Sequence, residues 1–389
     1  MSRRILDIEV LRGIAVLLVV IHHAHFNLYS WTNPTLELFF TYFGGAIGVD
    51  LFFAISGFVI ARDLLPRLEQ AAGDNRARVV LAFWVKRAWR LWPSAWLWLM
   101  VPLLLALLLN DSRAFGGVRA NIEATMAGLA HVANFRLADA WGRQEYGATA
   151  VYWSLSLEEQ FYFLLPLLAL CLRKYLVWGV CVIALMQLIS PRDTMFAVIF
   201  RTDALCLGVL LALISRTRAY ELARPHFLAS RLASTLSVLL LLTLLLTFGS
   251  HHLNVAPYRL SVVAVLAALL VFVASHDGNL LFYKQDWIRR PLVWVGERSY
   301  AMYLIHMPCF YLVRELWHRH SGGELPTQDA FMLFTCSAVL MVLILSDLNY
   351  RFIELPLRRR GARVALNMLN KEPMQAPTVS ATDAPLANR

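Results

Sequence analysis

Long apolar stretches alternate with short polar segments along most of this chain. The apolar stretches lie near residues 9–28, 45–61, 91–109, 152–171, 175–190, 202–214, 233–249, 259–275, 294–313 and 331–350. A helix that crosses a bilayer needs about 20 predominantly apolar residues. The pattern therefore predicts an all-α, polytopic membrane protein with about ten transmembrane helices, of which the fifth and sixth are short.

The polar segments suggest how the rest of the chain is organised. Within the loop of residues 110–151, the stretch 121–135 is weakly apolar and carries Glu123 and His131, so we expect an interfacial or re-entrant piece there. The transmembrane domain is predicted to cover residues 1–360. Residues 361–389, which end in a stretch rich in Pro, Ala and Thr, are expected to form a disordered cytoplasmic tail.

The composition excludes a chain of two or three soluble domains. Of the 389 residues, 59% are hydrophobic and only 16% are charged. The net charge of +10 comes from Lys and Arg in short clusters between the apolar stretches. If the N-terminus lies inside, 27 of the 36 Lys and Arg residues fall on the cytoplasmic side, which is the bias seen in multi-spanning membrane proteins. We therefore expect both termini in the cytoplasm and no binding of nucleic acid.

The cysteines and histidines do not follow a metal-binding pattern. The five Cys residues stand singly in or beside apolar stretches, and the sequence HHAH from His22 has no second ligand cluster at zinc spacing. We expect neither a disulfide framework nor a bound metal.

The first apolar stretch carries the most informative polar pair. Arg12 and His23 are eleven residues apart, which on an α-helix is about 20° more than three full turns, so both side chains lie on one face roughly 16 Å apart. His23 is therefore expected in the outer half of the membrane, with Arg12 and nearby Glu9 towards the cytoplasmic edge. The alternative is that Arg12 extends to the interface and the histidines form a hydrated helix end.

The second apolar stretch contains a carboxylate that needs a partner. Asp50 and Gly57 share one helix face, and Asp50 lies about a turn below the expected outer surface. His23 on the neighbouring helix is the partner we expect, because a carboxylate would orient its ring. The alternative is an Asp50 that faces water.

A basic and aromatic segment follows the second stretch. Arg87 and Arg90 are three residues apart within FWVKRAWRLWP. On one helical turn the two guanidinium groups could clamp a phosphorylated ligand. Equally, the segment could be an aromatic belt with charges that orient the chain in the membrane.

The fourth apolar stretch opens with two adjacent carboxylates. Glu158 shares a helix stripe with Ser154 and Tyr162, whereas neighbouring Glu159 points about 100° away. We expect the two carboxylates to have separate roles, with Glu159 free to pair with an arginine elsewhere.

These motifs occur in an order that resembles the acyltransferase type 3 family of bacterial integral membrane O-acyltransferases. In the first half, the matching pieces are Arg12 and His23 with ten residues between them, GVDLFFAISGF in the second stretch, the pair Arg87 and Arg90, and WSLSLEEQFY, in which Glu158 is the family's usual carboxylate. In the second half, they are RTDALCLG from residue 201, LVWVGERSYAMYLIHMP from residue 292 and YRFIELPLR from residue 350. The resemblance covers residues 1–360. No additional esterase-like domain follows, so the chain resembles the stand-alone form.

The resemblance implies a reaction and a location. An acyl group, usually acetyl, would pass from cytoplasmic acyl-CoA to a hydroxyl of a sugar or other acceptor, within the lipid of the bacterial inner membrane. His23 would act as general base and Asp50 would orient it, with Glu158 as a further catalytic carboxylate. Arg12, Arg87 and Arg90 would bind the phosphates of CoA. An acyl-histidine relay remains open as an alternative to direct transfer.

Later residues are candidates for acceptor binding. Ser299, Tyr303 and His306 share one helix face, so they would line a path through the bundle or form structural hydrogen bonds to other helices. Arg201 and Asp203 lie at an outer helix end, where they would contact the acceptor or pair with each other.

Two other classes of function compete with the enzyme. A transporter or flippase would also use ten spans with buried charges, although the two halves of the sequence show no convincing internal repeat. A membrane scaffold or sensor would leave the intramembrane Arg, His, Asp and Glu residues without a purpose.

Overall fold

The computed structural model describes residues 4–73, 75–253 and 256–370, which form a helical bundle with no β-strand among them. The first half contains α1 (Leu6–Asn27), α2 (Pro34–Tyr42), α3 (Gly48–Gln70), α4 (Asn75–Leu108), α5 (Val118–Leu129), α6 (Ala133–Ala140) and α7 (Tyr152–Leu172). The second half contains α8 (Leu176–Ile189), α9 (Met195–Ile199), α10 (Asp203–Ile214), α11 (Arg218–Leu222), α12 (Arg231–Gly249), α13 (Arg259–Ser275), α14 (Asp286–Glu297), α15 (Ser299–His320), α16 (Phe331–Asn349) and α17 (Leu355–Asn370).

Each predicted apolar stretch is helical, but the ninth, residues 294–313, is divided at Arg298 between α14 and α15. Six helical segments of the described chain are long and apolar enough to cross a bilayer, namely Gly45–Gln70, Asn75–Leu108, Tyr152–Ile189, Met195–Ile214, Arg231–Gly249 and Gln328–Asn370. The all-helical fold is therefore confirmed for the described residues, with six candidate membrane spans. A total of ten spans, and cytoplasmic positions for both termini, stay predictions.

Three predicted segments have different structures. The basic segment between the second and third apolar stretches, residues 62–90, is mostly helical, because α3 continues to Gln70 and α4 begins at Asn75, so Arg87 and Arg90 lie well inside a helix. The piece expected at 121–135 is the hairpin of α5 and α6. Residues 361–370 of the expected tail continue α17, which packs against α4. The rest of that tail lies outside the described residues.

Close approach of α3 and α10 depends on two glycines. A Cβ atom on Gly57 would collide with the backbone oxygen of Leu205, and one on Gly208 would collide with that of Ala54. Small residues allow membrane helices to pack backbone against backbone. This contact brings the start of α10 beside Asp50 on α3.

The last turn of α1 is irregular. His25 and Phe26 have non-helical backbone angles, and Phe26 has a positive φ of 63°. The regular part of α1 therefore ends just beyond His23, and the chain turns away from that side chain.

Candidate active site

Arginines line a cleft at one end of the bundle, which we call the basic end. This basic cleft has a volume of about 1080 Å³, including its open mouth. Five arginines line it, and they are Arg4, Arg12, Arg62, Arg90 and Arg358. Glu9, Glu297 and Glu354 offset part of this charge, with Glu9 Oε1 lying 3.2 Å from Arg12 Nη1 and 3.3 Å from Arg4 Nε. The surplus of guanidinium groups suits an anionic ligand.

A second cavity, of about 780 Å³ including its open part, lies beside the basic cleft and further into the bundle. Arg12, Arg90, Ser299 and Tyr300 line both spaces, so the two are adjacent. This inner cavity is bordered further in by side chains from α3, α4, α7 and α15, among them Ser56, Arg87, Ser154, Glu158, Tyr162 and Tyr303. Residues from four distant parts of the sequence thus share one cavity.

Hydroxyl groups hold the polar wall of the inner cavity in place. Glu158 Oε1 accepts hydrogen bonds from the hydroxyls of Ser56 and Tyr162. The hydroxyls of Ser154 and Tyr303 lie 2.6 Å apart. Glu158, Ser154 and Tyr162 therefore line one cavity, as their shared stripe predicts.

Arg87 extends over an aromatic surface rather than towards a carboxylate. Its guanidinium carbon lies 5.3 Å from the ring centre of Tyr162 and 5.6 Å from that of Phe83. Cation–π contacts of this kind orient an arginine while its N–H groups stay available to a ligand. Both members of the predicted arginine pair line the inner cavity.

Two histidines meet beyond the inner cavity. His306 on α15 is buried, and its Nε2 lies 3.0 Å from Nδ1 of His23 on α1. His306 Nδ1 lies 3.1 Å from the carbonyl oxygen of Met302, which only accepts hydrogen bonds. A neutral His306 therefore donates from Nδ1 and accepts at Nε2, and His23 donates from Nδ1. This arrangement leaves Nε2 of His23 as the unprotonated nitrogen.

Tyr303 connects the cavity to this histidine pair of His23 and His306. Its side chain lines the inner cavity, and its ring centre is 5.8 Å from that of His306. Neither histidine lines the inner cavity. Tyr303 consequently stands at the boundary between the cavity and the pair.

The predicted contact between Asp50 and His23 is wrong. Both oxygens of Asp50 accept hydrogen bonds from Arg201, at 2.6 Å from Nε and 2.9 Å from Nη2. The proposed pairing of Arg201 with Asp203 does not form either, since Arg192 Nη2 donates to Asp203 over 3.0 Å. Buried charges need compensation, and α10 brings these carboxylates closer to arginines than to the histidine pair.

The second carboxylate of α7 also has an unexpected partner. Glu159 Oε2 lies 2.8 Å from Nδ1 of His131 and accepts a hydrogen bond from Trp92 over 3.0 Å. Gln160 donates to the carbonyl oxygen of His131 over 2.8 Å. Glu159 therefore binds the tip of the α5–α6 hairpin instead of an arginine.

Sequence reasoning did not find several partners that the fold supplies. Their contacts join residues of different helices or loops, and they are His306 with His23, Arg192 with Asp203, His131 with Glu159 and Ser56 with Glu158. For these partners the sequence offered one indication, namely that Tyr303 and His306 share a helix face, which placed His306 among the candidate site residues. No group of three or more His, Cys, Asp or Glu side chains in the described part of the chain is arranged to hold a metal ion.

Comparisons with known proteins relate the whole bundle to one family. A family model described as "Acyltransferase domain" matches residues 5–348. The Bacillus subtilis protein named "Putative peptidoglycan O-acetyltransferase YrhL" is 29% identical over 390 residues, which cover 93% of this chain and 56% of that protein. "Peptidoglycan O-acetyltransferase OatA" of Listeria monocytogenes is 26% identical over 382 residues, covering 91% of this chain and 56% of that protein.

The chain spans a little over half the length of these curated relatives. No solved structure gives a significant match to it.

Proposed function

Since the chain belongs to the acyltransferase family whose model matches residues 5–348, we propose that it is a membrane O-acetyltransferase that uses acyl-CoA as its donor. The observation that carries this proposal is a row of adjacent sites. A basic cleft borders an inner cavity, and Tyr303 lies between that cavity and the histidine pair. A polar donor with several phosphates fits the first part, and an acyl group fits the last.

The donor would enter at the basic end. CoA carries a diphosphate, and Arg12 and Arg90 line both the cleft and the inner cavity, while Arg87 lines the inner cavity. Charge-assisted hydrogen bonds from arginine to phosphate are among the strongest in proteins. The basic end would face the cytoplasm, where acyl-CoA is made and where positively charged segments accumulate.

The histidine pair would supply the general base. His23 Nε2 takes the proton of the acceptor hydroxyl as its oxygen attacks the thioester carbonyl carbon. The bond from that carbon to sulfur then breaks, and the proton passes from His23 to the departing thiolate, which leaves as CoA. His306 keeps the proton on Nδ1 of His23 throughout, and this is the orienting role that the sequence suggested for Asp50.

Tyr303 and Glu158 would prepare the donor for this step. Tyr303 has to move for the acyl group to reach His23, because its ring separates the inner cavity from His306. Glu158 fixes Ser56 and Tyr162 and so shapes the inner cavity. Its role is then to position groups around the donor.

The acceptor would be a carbohydrate on the other side of the bacterial inner membrane. Both relatives described above carry peptidoglycan in their names. A peptidoglycan hydroxyl is thus the first acceptor to test. Arg201 and Asp203 are engaged by other charged residues, so we assign acceptor contacts to the surroundings of His23 instead.

The decisive experiment measures acetyl-CoA consumption by the purified protein in detergent. Addition of peptidoglycan fragments should cause release of free CoA together with acetyl esters on the sugar, in equal amounts. A transporter or flippase would leave acetyl-CoA intact. Movement of the fragments across vesicle membranes without release of CoA would therefore reject the enzyme in favour of transport.

A further inference from the structure

A second polar cleft lies beside the basic cleft, between the ends of α3, α10, α11 and α13. Arg62 lines both clefts, so they are neighbours. The other basic side chains of the second cleft are Arg224, His226 and His276. We call this second cleft the phosphate pocket. It is open, with a volume of about 960 Å³, and one carboxylate, Glu221, also borders it.

The phosphate pocket has a positive character and contains an unpaired nitrogen. Burial, together with the charges of Arg224 and His226, lowers the pKa of His276 to about 4. His276 is therefore neutral at pH 7, and its buried Nε2 has no hydrogen-bond partner among the described residues. Such an unpaired buried nitrogen is unfavourable, and Arg62 and Arg224, which border the same pocket, supply positive charge for an anion.

The position of His276 is fixed by stacking. Its ring lies 4.2 Å from that of Tyr220 with an angle of 17° between the planes, and the Tyr220 hydroxyl lies 2.5 Å from that of Ser275. Both Arg62 and Arg224 act electrostatically on Tyr220. The pocket is consequently built around one aromatic stack, with one guanidinium group from α3 and one from the segment that follows α11.

We propose that the phosphate pocket binds the ribose 3′-phosphate of the CoA donor. This proposal rests on the function proposed above, and it adds the site that recognises the nucleotide end. CoA carries a phosphate monoester on its adenosine, apart from the diphosphate that leads to the thiol. With the acyl group in the inner cavity and the diphosphate in the basic cleft, the adenosine would lie outermost, where Arg62 joins the two clefts.

The lining favours a nucleotide over a lipid headgroup. Every residue that borders the phosphate pocket has a polar side chain except Phe58. By contrast, the cleft that contains Arg76, Arg173 and Lys174 also has a wall of leucines and an alanine, as a bound lipid would require. The phosphate pocket offers little apolar surface to acyl chains.

The test compares CoA with 3′-dephospho-CoA, which differs only by the monoester. Equilibrium dissociation constants of both ligands are measured for the wild-type protein, for Arg224→Gln and for Arg218→Gln. Arg224 is exposed, so its replacement should leave the fold intact. Arg218 is also exposed and lies nearby on α11, but it does not border the pocket, so it controls for the lost charge.

The wild-type protein should bind CoA roughly 10-fold to 100-fold more tightly than 3′-dephospho-CoA, because one or two charged hydrogen bonds to the monoester change the affinity by about this factor. Arg224→Gln should weaken CoA binding by about tenfold or more and leave 3′-dephospho-CoA unchanged, whereas Arg218→Gln should preserve the preference.

Equal binding of the two ligands to the wild-type protein would overturn the proposal while leaving the acyl-CoA donor in place. The same would follow if Arg224→Gln weakened both ligands by the same factor. Failure of the wild-type protein to bind either ligand would instead reject the proposed function. The same binding measurements with phosphatidylglycerol vesicles test a lipid headgroup as the other source of phosphate. If Arg224→Gln weakened binding to those vesicles and did not weaken CoA binding, the pocket would be assigned to lipid.

Discussion

The two ends of the bundle use the same residue types in opposite ways. At the basic end, Arg12, Arg87 and Arg90 border cavities, and Arg87 rests on aromatic rings rather than on a carboxylate. At the other end, Arg201 binds both oxygens of Asp50, and the two residues are 4% and 0% exposed. Arginines at the first end can take a ligand, while Arg201 is already saturated.

This difference shows what a charged motif in a membrane helix can mean. A buried ion pair that loses one partner leaves an uncompensated charge and destabilises the protein strongly. An arginine at a cavity loses a ligand when it is replaced, with a smaller effect on folding. The same substitution should therefore affect stability at one end and donor affinity at the other.

The largest predicted effect belongs to the histidine pair. His23→Ala should lower the rate of acetyl transfer by roughly 100-fold to 10,000-fold, because a positioned general base is lost. CoA affinity should stay close to that of the wild type. His22→Ala is the matched control, since this neighbouring histidine packs against His251 and lies outside the pair. Turnover of His23→Ala above about a tenth of the wild-type value would contradict the mechanism.

Asp50 provides the second test, at the opposite end. Asp50→Asn should reduce the free energy of unfolding by about 3 to 5 kcal/mol, because Arg201 remains buried without its partner. Thermal unfolding in detergent measures this loss. The double variant Asp50→Asn, Arg201→Gln should recover part of it. A fully stable Asp50→Asn protein without activity would return Asp50 to the catalytic role that the sequence suggested.

The third test concerns the donor arginines. Arg87→Gln and Arg90→Gln should each weaken acetyl-CoA binding by roughly 10-fold to 100-fold, with normal membrane insertion. Arg143→Gln is the control, because that exposed arginine pairs with Asp139, four residues before it in the chain. Unchanged affinity in both variants would make these arginines orientation signals.

The smallest effect should come from an exposed ion pair. Glu69 and Arg216 are bonded through two contacts of 2.6 and 2.7 Å, yet they are 53% and 45% exposed. Glu69→Gln should change the free energy of unfolding by less than about 1 kcal/mol, since water and salt screen such pairs. A loss as large as that of Asp50→Asn would show that burial does not separate the two kinds of pair.

The sequence predicted the helices well because hydrophobic periodicity is local. All ten apolar stretches are helical, and the resemblance to the acyltransferase family is confirmed. The structure also agrees with the predicted shared helix face of Glu158, Ser154 and Tyr162, since all three residues line one cavity. The roles of these residues in catalysis stay predictions.

Partners between helices could not be predicted. The position of Asp50 and His23 on consecutive apolar helices predicts a contact between them. In the structure, packing of α3 against α10 brings Arg201 to the Asp50 carboxylate instead. His306 lies 283 positions from its partner His23. Spacing within a helix defines the face on which a side chain lies, and only the tertiary packing decides which helix that face meets.

The central claim is that the donor binds at the basic end, on the cytoplasmic side, and that the acceptor is modified on the other side. Acetyl-CoA does not cross membranes, so sealed right-side-out membrane vesicles can be loaded with it or exposed to it externally, with peptidoglycan fragments outside in both cases. The account predicts acetylated fragments only from loaded vesicles, and none from loaded vesicles that contain His23→Ala. Acetylation that depends on external acetyl-CoA instead would contradict it.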